Sequence, residues 1–290
     1  RLRYALPSNF VNGIGSATSF TDDNTLLKHY AYLYRYDERG NNVVKRLPGC
    51  DSICMVYDMA NRLVLSQDGN QRLKKKWTAT KYDVFGRVIF TGILNSPLIR
   101  IQQKAIYDSK VVTESYAAGT GYTCTNFCGA TPLNINYYDS YNFISLLTVT
   151  ADKTNLAYAT KSGYDPQYSS TKGLLTGTRT YILDKTGTNY LTTALYYDKY
   201  GRVVQTRATN QSGGYDIVYN QFNFIGKATS TYKEHNIASQ SVIPEAYYYS
   251  YDKAGRLTYT TYLPNNKSAI TSKQNYDELS RLGSTIHLSF

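Results

Sequence analysis

The chain has 290 residues, 42% hydrophobic and 18% charged. That supplies a buried core for one large domain or two ordinary ones, and it excludes a disordered chain or a long coiled coil. The formal net charge is +11, but Lys and Arg are spread along the whole chain, which argues against a nucleic-acid partner.

Tyrosine is the compositional outlier, at 31 residues against nine Phe and one Trp. Tyr suits a pleated, half-buried surface, so the composition points to β-structure. Two Met, three His and four Cys leave little material for metal or nucleophilic catalysis. No stretch approaches the roughly 18 apolar residues of a membrane helix, and no basic-then-apolar leader opens the chain. No membrane insertion is expected. A start at Arg1 and a strand-like end at residues 285–290 read as a fragment of a longer protein.

Residues 1–30 form a non-repeat segment. Within it, Thr21-Asp22-Asp23-Asn24 resembles a helix cap before Leu26, which predicts one short helix. Residues 31–290 are a repeat domain. Tyr-Asp occurs ten times, and the best copies share the frame Y-D-x-x-G-R. In chain order they are Tyr36-Asp37 with Gly40, Tyr57-Asp58 with Asn61-Arg62, and Tyr82-Asp83 with Gly86-Arg87. Tyr138-Asp139 with Asn142, Tyr197-Asp198 with Gly201-Arg202, and Tyr251-Asp252 with Gly255-Arg256 follow. Tyr219-Asn220 with Asn223 reads as a degenerate copy, and Tyr276-Asp277 with Ser280-Arg281 as the last. Asp184 to Gly187 is an extra D-x-x-G turn. The exposed-looking cluster Arg72, Lys74, Lys75 and Lys76 reads as a solvated connecting loop.

The frame has a mechanical reason. D-x-x-G is a type I turn signature, in which the Asp side chain accepts from the turn's own amides. Gly, or Asn in its place, takes the left-handed conformation that follows such a turn in a bulged hairpin. Flanking segments such as 76–82 and 202–205 alternate as strands do. The motif Tyr ends the incoming strand and the Arg begins the outgoing one. Either the two stack across the same hairpin, worth about 0.5–1 kcal/mol, or they only mark its geometry. Motif positions lie from 21 residues (Asp37 to Asp58) to 33 residues (Asp165 to Asp198) apart, each interval holding two strands and their connections. The expected fold is therefore all-β: consecutive antiparallel β-hairpin repeats forming a continuous curved or spiralling sheet.

Y-D-x-x-G-R followed by Leu or Val, every twenty-odd residues, resembles the YD repeat of RHS-repeat proteins and teneurins. Residues 34–72 are similar to a branch found in Bacteroidetes cell-surface proteins. The resemblance spans roughly residues 30–290. It implies a β-ribbon that spirals into a hollow shell, which in RHS toxins encloses a C-terminal cargo. For this chain it implies a wall of an open shell or a stalk, non-enzymatic, extracellular or in the cell envelope. Its partners would be the remaining segments of the same polypeptide. An adhesin reading is the alternative, with a Tyr/Lys/Arg face holding an acidic glycan.

No catalytic, metal or cofactor residues are expected. His29, His235 and His287 are far apart and lack a nucleophile signature nearby. The cysteines fall as Cys50/Cys54 and Cys124/Cys128. For the second pair, inside a Gly/Thr loop, a local disulfide is favoured, with free thiols or a four-thiolate zinc site as the alternatives. An extended strand at Cys54 would hold the first pair too far apart to bridge.

Overall fold

The computed structural model describes residues 1–290 apart from 16–18, 20, 23, 184–188, 239, 266 and 290. The expected extra turn at Asp184 to Gly187 lies outside the described residues. The fold is nearly all antiparallel β: among the described residues, seventeen strands pair in sheet and two more form a separate small ladder. The chain divides into two compact units, Arg1–Ile135 with Leu183–Gly187, and Asn136–Ile182 with Thr188–Phe290.

The first unit opens with β1 (Tyr4–Ala5) and two short helices, α1 (Ser8–Ile14) and α2 (Thr25–Tyr30), where the sequence suggested one. The Asn24 side chain caps α2 by accepting from the Leu27 amide at 3.2 Å. Phe10, Leu27 and Ala31 make a small core beneath them. Then come β2 (Tyr32–Tyr36), β3 (Asn42–Arg46), β4 (Ile53–Tyr57), β5 (Leu63–Gln67), α3 (Gly69–Leu73), β6 (Lys76–Tyr82) and β7 (Val88–Asn95). Each strand pairs antiparallel with the next. After α4 (Arg100–Tyr107) and the small ladder of β8 (Tyr116–Ala117) and β9 (Gly121–Tyr122), β10 (Thr131–Tyr138) returns to pair with β7. The main core joins Val56, Val64, Leu65, Trp77 and Ala79 of the strands to Val112 and Phe127 of the long β7–β10 connection. Trp77 is fully buried, and its indole N–H donates to the Leu98 carbonyl at 3.2 Å.

The second unit takes the end of β10, a 3₁₀ turn at Asn142–Leu146 and α5 (Thr150–Leu156). Nine strands follow: β11 (Leu175–Tyr181), β12 (Tyr190–Tyr197), β13 (Val203–Thr209), β14 (Tyr215–Phe222), β15 (Ala228–His235), β16 (Ile243–Tyr251), β17 (Leu257–Pro264), β18 (Ile270–Tyr276) and β19 (Leu282–Ser289). They pair in strict succession. The segment before β11 folds over this sheet. Phe143 stacks on Tyr137 with ring centroids 4.5 Å apart, and Tyr141 stacks on Tyr196 at 4.5 Å. The buried Gln205 amide donates to the Ala159 carbonyl at 2.8 Å and accepts from the Ala159 amide at 3.3 Å, so a side chain does what a neighbouring strand would.

Helices α3, α4 and α5 were not legible as helices in the sequence. The basic cluster is exposed, as a solvated loop would be, but Arg72 sits in α3 and Lys76 opens β6. The helix forms because Asp68 and Gln71 build a reciprocal capping box, with bonds of 2.7 and 3.0 Å. Lys75 ends the connection in the left-handed region, at φ 52°.

A tight contact in the second unit is testable. A Cβ on Gly177 would lie 2.1 Å from the fully buried ring of Phe143. Gly177→Ala should cost about 1–3 kcal/mol through overpacking, seen as a lowered denaturant midpoint. Gly129→Ala, where nothing lies within 4 Å of the added carbon, is the near-neutral control.

Candidate functional site

Like the Asn210 turn between β13 and β14, seven hairpin turns on the repeat frame share one geometry among the described residues. They start at Asp37, Asp58, Asp83, Asp198, Asn223, Asp252 and Asp277, and in each the amide three residues on donates to the carbonyl of the first at 2.9–3.1 Å. The first residue's own amide donates to the carbonyl four residues on, at 2.9–3.0 Å. Its side-chain oxygen accepts from that fourth residue's amide, as Asp58 does from Arg62 at 2.9 Å and Asp198 from Arg202 at 3.0 Å. The turn's last position is left-handed throughout: Gly40, Gly86, Gly201, Gly226 and Gly255 carry φ from 74° to 93°, with Asn61 at 58° and Ser280 at 63°. Ser280 thus adopts the same turn despite its poorer fit.

Two sequence assignments need correction. The degenerate copy is framed by Phe222-Asn223 with Gly226-Lys227, not by Tyr219-Asn220 with Asn223; Asn223 accepts from the Lys227 amide at 2.9 Å, the role of Asp elsewhere. Tyr219 and Asn220 lie within β14. Tyr138, Asp139 and Asn142 make no hairpin turn. Asp139 takes φ 68° and accepts from the Gly173 amide at 2.6 Å, while Asn142 starts the 3₁₀ turn. The residue after Asn142 is Phe143, which is drawn into the core beside Tyr137, so no outgoing strand follows.

The motif Arg does not stack on the motif Tyr of its own hairpin, although Arg202 lies 4.9 Å from the Tyr200 ring and Arg87 5.0 Å from the Phe85 ring within their own turns. It is first clamped by its own Asp: Arg62, Arg87, Arg202, Arg256 and Arg281 each meet the carboxylate at 2.6–2.7 Å. Three of the five then lie over the aromatic ring that opens the next turn. Arg62 sits 4.8 Å from the Tyr82 ring, Arg202 4.8 Å from Phe222, and Arg256 4.9 Å from Tyr276. Lys227 stands in for Arg over Tyr251 at 5.4 Å. The contact is completed from the other side. The Tyr82 hydroxyl donates to the carbonyl of Leu63, the residue after Arg62, at 2.8 Å. Tyr251 does the same to Ala228 at 2.8 Å and Tyr276 to Leu257 at 2.9 Å. Tyr57, where Asn41 replaces the Arg of the preceding turn, still donates to Asn42 at 3.0 Å. Tyr197 reaches Leu175 at 2.5 Å. Phe222 has no hydroxyl, and Asn220, two residues back on the same strand face, supplies the donor to Val203 at 3.1 Å.

Electrostatics favour this arrangement. Burial pushes the Tyr57, Tyr82, Tyr197 and Tyr251 hydroxyls up, keeping them protonated donors. Burial alone would also raise the Asp198 carboxyl, but the amides of Arg202 and Tyr200 and the Arg202 guanidinium outweigh it and leave it below the ordinary value. For Asp252 and Asp277 the amide of the motif Arg is the largest influence, and both carboxyls are lowered.

The long connections dock onto the turns by a shared contact. The Glu114 amide donates to the Tyr82 carbonyl at 2.9 Å, and the Tyr168 amide to the Tyr197 carbonyl at 2.7 Å. In the first unit Val112 also closes the Asp58–Arg62 pair, its amide reaching Asp58 at 3.1 Å and its carbonyl accepting from Arg62 at 3.2 Å. None of this was visible in the sequence, where these stretches show only Tyr107-Asp108 and Tyr164-Asp165 without the Gly-Arg half of the frame.

Among the described residues no three His, Cys, Asp or Glu side chains gather as metal ligands, so the two cysteine pairs do not form a four-thiolate set. Cys124 and Cys128, the pair expected as a local disulfide, are not bonded to each other in the structure, and Cys128 Sγ is turned to the Cys124 carbonyl at 2.6 Å. Cys50 lies in the β3–β4 connection and Cys54 in β4. His235 meets Asp216 at 2.5 Å on the surface, while His29 and His287 lie in α2 and β19. No helix among the described residues is long and apolar enough to cross a membrane.

No family model and no curated protein matches the chain. Solved structures do. The crystal structure of TcdB2-TccC3-TEV matches over 99% of this chain and 13% of its own length, at 12% identity and TM-score 0.37. A pore form of the Photorhabdus luminescens Tc holotoxin matches over 100% and 17%, at 13% identity and TM-score 0.30. A TcdB2-TccC3 crystal structure without its hypervariable C-terminal region matches over 88% and 12%, at 12% identity and TM-score 0.31. The chain therefore spans less than a fifth of the length of these structures.

The contact between repeats makes two predictions. Tyr82→Phe keeps the ring and strands the Leu63 carbonyl, and should cost about 1 kcal/mol in chemical denaturation. A double-mutant cycle of Arg62→Gln with Tyr82→Leu should return a coupling of about 0.5–2 kcal/mol. Stability should also fall in acid. The lowered aspartates contribute fully above the unfolded Asp value of about 3.9, and that contribution is lost as pH falls through their folded values. Asp198→Asn should flatten the stability–pH slope in this window.

Proposed function

We propose that this chain is a non-enzymatic, structural segment of a large RHS-type protein of the cell surface or the extracellular space. Its sheet serves as a wall or stalk that shields or presents another part of the same polypeptide. The observation that carries this reading is the Asp–Arg–aromatic contact that ties the Asp58 turn to Tyr82 in the first unit, and the Asp198 turn to Phe222 and the Asp252 turn to Tyr276 in the second. It commits the charged groups an active site would use to holding neighbouring hairpins together. It also commits the motif tyrosines, whose hydroxyls bind carbonyls and whose rings face cations. That leaves the acidic-glycan reading with no observation in its favour.

The test uses the full-length protein under a broad protease. The expected result is that the repeat segment survives intact and that another segment of the polypeptide stays associated and protected with it, as identified by mass spectrometry. Free digestion of everything outside an intact repeat segment would replace the shielding role with that of an open scaffold. Rapid digestion of the repeats themselves would remove the structural reading altogether.

A further inference from the structure

The first unit holds a cluster that the repeat architecture does not use. Lys81, on β6 and only 5% exposed, lies with its ammonium 3.3 Å from Cys124 Sγ and 5.0 Å from the Phe90 ring centroid. Its carboxylate neighbour, Glu114, is 2% exposed and stands 3.7 Å away, beyond hydrogen-bond distance. That carboxylate is already occupied. It accepts from the Thr123 hydroxyl at 2.7 Å, the Thr125 amide at 2.9 Å and hydroxyl at 3.0 Å, and the Asn126 amide at 2.8 Å. These four bonds wrap the 123–126 loop around Glu114 and present the Cys124 sulfur to the lysine. Phe127 then turns left-handed at φ 50°, buries its ring against Tyr107 at 4.8 Å, and folds Cys128 back on Cys124. Both sulfurs belong to exposed residues.

We propose that Cys124 and Cys128 form a redox-active dithiol, in which Cys124 attacks small-molecule disulfides and Cys128 resolves the adduct. The attacking species is a thiolate, and Cys124 is assigned the attack because its sulfur is the one that the Lys81 ammonium contacts, at 3.3 Å. Cys128, whose Sγ is turned to the Cys124 carbonyl at 2.6 Å rather than to the lysine, takes the second role. In the first step the Cys124 thiolate displaces one thiolate from the disulfide RSSR and forms a mixed disulfide. In the second, Cys128 gives up its proton, bonds to Cys124 Sγ and releases the other half as RSH. Two electrons pass from the protein to RSSR, which leaves as two thiols. The product is a covalent clip across the loop that seats Phe127 in the core. The inference is independent of the shielding role proposed above.

The test uses the full chain incubated with oxidised glutathione, quenched by alkylation and mapped by mass spectrometry. Wild type should end with Cys124 bonded to Cys128 and no retained glutathione. Cys128→Ser should accumulate glutathione on Cys124, whereas Cys124→Ser should be modified at Cys128 at least about tenfold more slowly. Lys81→Met should slow the Cys124 adduct by about tenfold; if that variant does not fold, the two exposed cysteine variants decide alone. Equal or faster modification of Cys128, glutathione retained on Cys124 in wild type, or reaction at Cys124 no faster than at Cys50 would overturn the proposal.

Discussion

A guanidinium held between the carboxylate of its own turn and the aromatic ring of the next is the contact on which this molecule depends. Neither half suffices alone. An exposed ion pair is worth at most about 1 kcal/mol, and a cation over a ring about the same. Together they fix a planar group on two sides and let one long side chain's ordering serve both contacts. The Tyr hydroxyl then closes the loop by binding the carbonyl just past the Arg, as Tyr82 does at Leu63. The sheet's own ladder joins strands along their length; this contact joins turn to turn at their ends. A repeat array of this kind draws its stability from neighbour terms.

The docked connections follow the same logic. Both long inserts donate an amide to the carbonyl of a motif Tyr, Glu114 to Tyr82 and Tyr168 to Tyr197. That carbonyl belongs to the last residue before the turn, where the strand ladder gives way to turn geometry. The inserts thereby cap turn ends, while Val112, Phe127, Phe143 and Leu156 carry apolar cover to the strands. Each unit gains a core that a bare sheet of half-buried Tyr, Thr and Val would lack.

What the sequence disclosed was what the backbone demands locally. Asp, Gly and Asn at fixed offsets announce a turn because few residues accept its left-handed position. The destination of the Arg was hidden, because frame spacing says nothing of which ring it meets, and the next turn won over its own. Phe222-Asn223 was hidden because it keeps neither the Tyr nor the Asp of the frame, and Asn220 lends the missing donor from two residues away. At Asp139 the pattern was present, but Phe143 gained more from the core than a hairpin could offer. The helices escaped notice because α3 and α5 have five and seven residues, too short for a 3.6-residue period to show.

One detail of the pairing registers reaches further. In seven turn-linked pairs an extra residue bulges at the second position past the residue that closes the turn, which is basic in all but the first: Val43, Val64, Ile89, Val204, Thr229, Thr258 and Gly283; the β13–β14 pair, linked by the Asn210 turn, has none. A bulge re-phases the strand, so adjacent residues such as Val64 and Leu65 can both be buried. Its recurrence at one place means that each of these seven hairpins sets its inside and outside afresh, without reference to the one before. A residue gained or lost in a connection between hairpins is absorbed there and is not transmitted down the array. That gives such a chain a form of error containment, in which the connections are free to lengthen over evolution while the strands keep their faces.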